Sequence, residues 1–240
     1  MPDTLAAVLN YAVPGDGGFT LDVGLEVPPG LTVLFGPSGS GKSTVLALIA
    51  GLRRPASGRV QLGSNIWYDS GTGADTPVHK RGISFVFQSA ALFPHLSALG
   101  NVEYGISREI GRNERRDRAL HMLERMKVPH LAKRKPATFS GGEAQRVALA
   151  RAFARSPSLV LLDEAFSALD RELRRSLGED VRQLIGEAGI PGLLVTHHRM
   201  EALQLATRAI LIRNGRIEGT GAIEELLPAG GGYFDDESGG

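Results

Sequence analysis

The stretch Gly36-Pro37-Ser38-Gly39-Ser40-Gly41-Lys42-Ser43-Thr44 fits G-x-x-x-x-G-K-[ST], a loop whose backbone N–H groups curl around nucleotide phosphates. Glycines permit the curl, and a helix starting at the loop adds its positive dipole end to the anion site. Lys42 is placed to neutralise the β- and γ-phosphates of ATP or GTP, and the Ser43 hydroxyl to reach Mg²⁺. A second candidate pair, Asp163-Glu164, ends the apolar run Leu159-Val160-Leu161-Leu162. Carboxylates at the C-terminal edge of a parallel strand sit where such sheets bind ligands. Asp163 is suited to hold Mg²⁺ and Glu164 to polarise an attacking water as general base. An apolar strand ending in two acids can also be a helix N-terminal charge pair; the phosphate loop earlier in the chain favours the site.

These residues need a strand, a loop and a helix in that order, and the sequence supplies them. Leu31-Thr32-Val33-Leu34-Phe35 reads as a buried strand before the loop, and Val45-Leu46-Ala47-Leu48-Ile49-Ala50 as a helix after it. Residues 5–11 and 19–27 alternate about Pro14-Gly15-Asp16-Gly17-Gly18, which predicts two antiparallel strands and a turn. A further pair is expected at 58–62 and 65–68, a polar loop at 70–80 and a strand at 83–87. Helical patterning dominates from about Ser89 to Arg155, with Asn113 as N-cap and Leu120, Leu123 and Met126 on one face. Strand and helix then alternate: 159–162 apolar, 171–188 helical, 192–196 apolar, 200–206 helical, 210–213 apolar. Such alternation implies parallel strands with helical crossovers, hence an α/β core with the helical stretch inserted in it. The last dozen residues, Gly- and acid-rich, read as a flexible tail.

With 240 residues, 42% of them hydrophobic, the chain can bury a sizeable core. A formal net charge of +1 gives no overall bias toward nucleic acid or anionic membrane. Residues 107–136 hold ten Lys/Arg against four Asp/Glu, which reads as a solvated basic helix face or as a surface near phospholipid or polynucleotide. The absence of cysteine excludes disulfides and thiolate metal sites. No apolar run approaches the ~20 residues of a membrane-spanning helix, so a membrane role is expected through a partner.

One further motif narrows the class. Phe139-Ser140-Gly141-Gly142-Glu143-Ala144-Gln145-Arg146 closely resembles the signature of ATP-binding cassette (ABC) ATPases. Ser140 followed by Glu143 also fits a capping box, and the two roles can coexist. Other positions follow the family in order. Gln88, ending Phe85-Val86-Phe87-Gln88, resembles the glutamine that touches Mg²⁺ and water. Ser167-Ala168-Leu169-Asp170 resembles the loop that crosses the dimer interface. His197, ending Leu194-Val195-Thr196-His197, resembles the switch histidine on the γ-phosphate; His198 reads as surface. The resemblance covers approximately residues 31–216.

The resemblance implies a P-loop NTPase (RecA-like) core with an N-terminal antiparallel β subdomain and an inserted α-helical subdomain at about 89–155. The ABC ATPase domain would span 1–228 and the tail 229–240. ATP and Mg²⁺ are the implied ligands. Gly36 to Thr44 would bind ATP; Ser43, Gln88 and Asp163 would hold the metal; Glu164, His197 and Gln88 would be catalytic. Ser140, Gly141, Gly142, Glu143 and Asp170 would meet ATP held by the opposite subunit of a homodimer. Tyr11 is the first candidate to stack on adenine and Phe19 the second. Glu143 replaces the more usual Gln, and Ala165 stands where many members have Pro, which is expected to loosen that turn.

The segment from Phe87 to His95, with Ser140-Gly141-Gly142-Glu143, looks most like that of molybdate importer ATPases. The implied partners are integral membrane permease subunits and, through the complex, a substrate-binding protein, at the cytoplasmic face of the inner membrane, with no nucleic acid. Phe93, Pro94 and His95 are expected to receive a helix of the permease. Such subunits often carry a further C-terminal regulatory domain, and this chain ends soon after Leu227. A soluble family member acting on nucleic acid or ribosomes is an alternative, but tandem cassettes and a long coiled-coil insertion are not found in the sequence. A kinase or GTPase is another, but no Asn-Lys-x-Asp motif is found.

Overall fold

The computed structural model describes residues 3–12, 18–167 and 169–228. The expected turn at 14–18, apart from Gly18, and the expected tail at 229–240 lie outside these residues. In chain order the first elements are β1 (Leu5–Ala12), β2 (Thr20–Val27), β3 (Gly30–Phe35), α1 (Lys42–Ala50), β4 (Ser57–Leu62), β5 (Asn65–Asp69), β6 (Ala74–Asp75) and β7 (Ile83–Val86). Three helices follow, α2 (Ala98–Gly105), α3 (Arg112–Arg125) and α4 (Gly141–Ala154). The chain then runs through β8 (Leu159–Asp163), α5 (Arg171–Ala188), β9 (Pro191–Thr196), α6 (Arg199–Leu205), β10 (Arg208–Arg213), β11 (Arg216–Ala222) and α7 (Ile223–Leu226).

The strands form one sheet ordered β6-β5-β4-β1-β2-β11-β10-β3-β9-β8-β7. From β10 to β7 every pairing is parallel, as the alternation of strand and helix requires. The N-terminal strands pair antiparallel, β2 with β1, β1 with β4 and β4 with β5. The two halves are joined by β11, antiparallel to β10 and parallel to β2 at Arg216↔Asp22. Strand β11 was not expected, because only one large apolar side chain, Ile217, lies in its seven residues. A local signal for it exists: Asn214 and Gly215, at φ 48° and 75°, make the two-residue Asn-Gly hairpin turn between Arg213 and Arg216.

Alternation along each central strand sends side chains to opposite faces. Leu31, Val33 and Phe35 with Val160, Leu162 and Leu194 meet the helical side, whereas Leu34, Leu159, Leu161, Leu193 and Val195 pack with α1 and the antiparallel strands. Both faces are therefore covered, and the polar strand ends are left as the surface where a ligand can be held.

The expected helical insertion is α2 to α4, between β7 and β8. Leu123 and Met126 are buried and Leu120 packs beside them. The predicted cap at Asn113 is corrected: α3 starts at Arg112 with Gly111 as N-cap. Asn113 lies inside the helix, where the exposed side chain costs little. No helix among the described residues is long and apolar enough to cross a membrane.

Candidate active site

Strand β3 delivers the chain to Gly36, where a Cβ would run into the Ile212 carbonyl of β10. Gly39 and Gly41 follow at φ 80° and 100°, the left-handed region that glycine enters freely. Gly41 is the N-cap of α1 and no side chain caps that end, so the first-turn N–H groups face the loop as an anion site. The Lys42 ammonium donates to the Gly36 and Pro37 carbonyls at 2.8 and 2.7 Å. Burial pushes its pKa down, while the charges of Glu164 and then Asp163 oppose the shift. A cleft of about 390 Å³ opens here, lined by Phe19, Ser38, Gly39, Gly41, Lys42, Ser43, Thr44 and Glu164.

The ends of β8 and β9 and the segment after β7 gather the other predicted residues around Ser43 and Glu164, the two of them that line the cleft. Ser43 Oγ, on α1, donates to Asp163 Oδ1 of β8 at 2.9 Å. Burial raises the Asp163 pKa, and the Ser43 hydrogen bond pulls it back. Glu164, at φ 47°, gives its N–H to the Val195 carbonyl of β9 at 3.0 Å. Its Oε1 lies 3.0 Å from Nδ1 of His197, the residue after β9. Gln88 Nε2 donates to Ser167 Oγ at 3.2 Å, and Ser167 Oγ donates to the Glu164 carbonyl at 2.9 Å. A backbone bond from Ser167 N to the same carbonyl closes this turn, so it forms without a proline at buried Ala165.

Ser140 and its neighbours do not line this cleft. Ser140 caps α4: its Oγ accepts from Glu143 N at 3.2 Å, and Glu143 Oε2 accepts from Ser140 N at 2.8 Å. This is the full capping box. Gly141 is exposed, and a Cβ there would meet nothing within 4 Å. Gly142 packs on Leu173 of α5. Asp170 caps α5, accepting from Leu173 N at 2.9 Å. Of the two aromatic candidates, Phe19 lines the cleft with its ring against Gly41, whereas Tyr11 is not in the lining and its hydroxyl lies 3.5 Å from Arg53 Nη1. The second candidate is thus the one beside the phosphate loop, a placement that the glycine-rich segment between the two strands left open to a sequence reading.

Sequence reasoning missed a group behind His197. His198 is half-buried rather than surface, its ring centroid 4.2 Å from that of His197, and burial lowers its pKa. Its N–H donates to Thr196 Oγ1 at 3.0 Å, and the same hydroxyl makes a short hydrogen bond to buried Glu201. Arg174 donates to the Ser167 and Leu169 carbonyls. A carboxylate beside Ala202 in the apolar stripe of α6 was the available signal. Burial raises the Glu201 pKa, so the fold favours its protonated form. That contribution is complete below the unfolded value and is lost as pH rises through the folded one. The melting temperature of the wild type relative to Glu201→Gln is thus expected to fall as pH goes from about 4 to 8, and calorimetry at matched ionic strength checks it; a constant difference would refute it.

The ABC transporter family model matches residues 21–167. The molybdenum import ATP-binding protein ModC 1 of Azotobacter vinelandii is 41% identical over 88% of this chain and 58% of its own length. The molybdate/tungstate import ATP-binding protein WtpC of Archaeoglobus fulgidus is 45% identical over 90% of this chain and 87% of its own. An Fe(3+) ions import ATP-binding protein, FbpC of Yersinia pestis, is 44% identical over 85% and 58%. The chain thus spans less than two thirds of the length of the first and third of these. Among solved structures, the dimeric post-hydrolysis state of the ATP-binding cassette MJ0796 bound to ADP and Pi has a TM-score of 0.78 at 31% identity, covering 92% of this chain and 98% of that one.

Proposed function

The chain belongs to the ABC transporter family, and from that premise we propose that it hydrolyses ATP to drive a bacterial importer of an oxyanion, molybdate. The observation that carries the hydrolytic reading is the convergence of Lys42, the Ser43–Asp163 contact and the Glu164–His197 contact on one cleft. The α1 N-terminus and Lys42 hold the phosphates. Phe19 stacks on the base. Glu164 takes the proton of the attacking water, with His197 keeping its carboxylate oriented and facing the γ-phosphate.

Ser43 Oγ and Asp163 Oδ1, two hard oxygens 2.9 Å apart, suit Mg²⁺, which takes one or two carboxylates and completes its shell with phosphates and water. Among the described residues no group of three or more His, Cys, Asp or Glu forms a self-sufficient metal cage, in keeping with a metal that arrives with its nucleotide. Gln88 would complete this set. When bound, Mg²⁺ supplies charge neutralisation at the phosphates.

Ser140, Gly141 and Glu143 are placed to meet the nucleotide of a second subunit, as the capped, exposed end of α4 allows; Gly142 gives α5 its close approach and Asp170 caps it beside that interface. A groove of about 650 Å³ runs from β7 to α2 and α4, lined by Phe85, Phe87, Phe93, Tyr104, Arg151 and others. Phe87 and Tyr104 are 42% and 61% exposed, and the groove adjoins Gln88. It is the proposed seat of a permease helix at the cytoplasmic face of the membrane, the substrate-binding protein being engaged through that complex. The expected result in proteoliposomes holding this chain and its permease subunits is molybdate uptake that needs ATP, with crosslinks from Phe93 or His95 to the permease. Uptake of Fe³⁺ instead, favoured by the ferric relative, would replace the cargo, and absence of ATP hydrolysis would overturn the reading.

A further inference from the structure

The carboxylate of Glu143 has two engagements. Its Oε2 completes the cap of α4 through Ser140 N, and its Oε1 lies 3.3 Å from His130 Nε2. His130 belongs to the short turn Pro129–Leu131, which is fixed by fully buried Leu131 and by the bond from Ala132 N to the Pro129 carbonyl. The imidazole is thus presented to α4 from a separate, anchored segment. The hydrogen bond from Ser140 N, followed by that from His130, holds the Glu143 carboxyl below its usual range. It is therefore ionised at neutral pH.

An anionic residue in the first turn suits the helix dipole, but this helix end is also where a second subunit's triphosphate would arrive. Like charges would then meet as the surfaces close and water leaves, which strengthens their repulsion. Among the described charged groups, His130 and Arg134 face the carboxylate. Arg134 directs its guanidinium to the Thr138 carbonyl at 2.8 Å. His130 is left as the direct partner.

We propose that His130 is a positioning residue for nucleotide-driven dimerisation: it holds Glu143 in the cap that orients Ser140 and offsets its charge where the partner's ATP docks. This rests on the reading that Ser140 and Gly141 meet the partner's nucleotide. In isolation an exposed pair of this kind contributes little to stability, so the effect belongs to assembly rather than to folding.

The test uses the full chain carrying Glu164→Gln, with ATP and Mg²⁺, and measures the dimerisation midpoint by light scattering. Adding His130→Ala is expected to weaken dimerisation roughly three- to tenfold, with an unchanged melting temperature. Combined with Glu143→Gln, which keeps a cap acceptor without the charge, the His130 substitution should have no effect. An unchanged midpoint, or a loss that persists with Glu143→Gln, would overturn the role of His130 while leaving the dimer intact. If the parent protein stays monomeric with ATP, the two-subunit reading itself falls, and this inference with it.

Discussion

Replacing Glu164 by Gln is expected to leave ATP bound and to lower turnover about 10²- to 10⁴-fold, the usual effect of losing a general base. Gln has the shape of Glu, so the backbone at φ 47° and the bond from Glu164 N to Val195 O should persist. What disappears is the proton acceptor 3.0 Å from His197 Nδ1. Single-turnover hydrolysis with pre-bound nucleotide isolates the chemical step, and wild-type turnover there would refute the assignment. Lys42→Ala should fail earlier. Its ammonium sits at the closed end of the phosphate loop on the Gly36 and Pro37 carbonyls, where a triphosphate offers stronger, charged acceptors. Removing it should weaken binding, so equilibrium titration with nucleotide separates the two variants.

The legible parts of this site are those in which chemistry restricts residue type. A loop that must turn through positive φ at positions 39 and 41, and leave no room beside the Ile212 carbonyl at 36, can only be written with glycine. Asp163, Glu164 and His197 were visible because each follows an apolar run that becomes a parallel strand, and those strands end on one edge. The tie of Gln88 to Ser167 crosses 79 positions and leaves no local pattern. The choice between Tyr11 and Phe19 depended on strand register, which side-chain alternation alone does not set. Strand β11 is held by backbone pairing with little apolar content, so hydrophobic periodicity could not reveal it; the Asn214-Gly215 turn was the usable clue. His130 and Glu143 meet only because a short turn folds back on the start of α4.

Mixing two inactive chains is expected to restore activity. Gly141 lies outside the cleft that holds Lys42, and within its own chain a side chain at 141 would meet nothing within 4 Å. Gly141→Arg should therefore fold normally and act only by blocking a partner's approach. Gly142 could not serve, because a Cβ there collides with Leu173. In a homodimer of Gly141→Arg both sites are obstructed, and in one of Lys42→Ala both lack the phosphate cation. On the proposed arrangement, in which each site takes Lys42 from one chain and Gly141 from the other, a heterodimer holds one site with both defects and one with neither. Statistical mixing at equal concentrations makes about half of the dimers mixed, each with one sound site, so activity of roughly a quarter of wild type is expected, provided that one site can turn over alone. Activity that never exceeds the sum of the two parents would argue that the sites are built within single chains, with α4 left as an ordinary capped helix. If Gly141→Arg alone retained wild-type turnover, the end of α4 would have no part in the nucleotide site of either subunit.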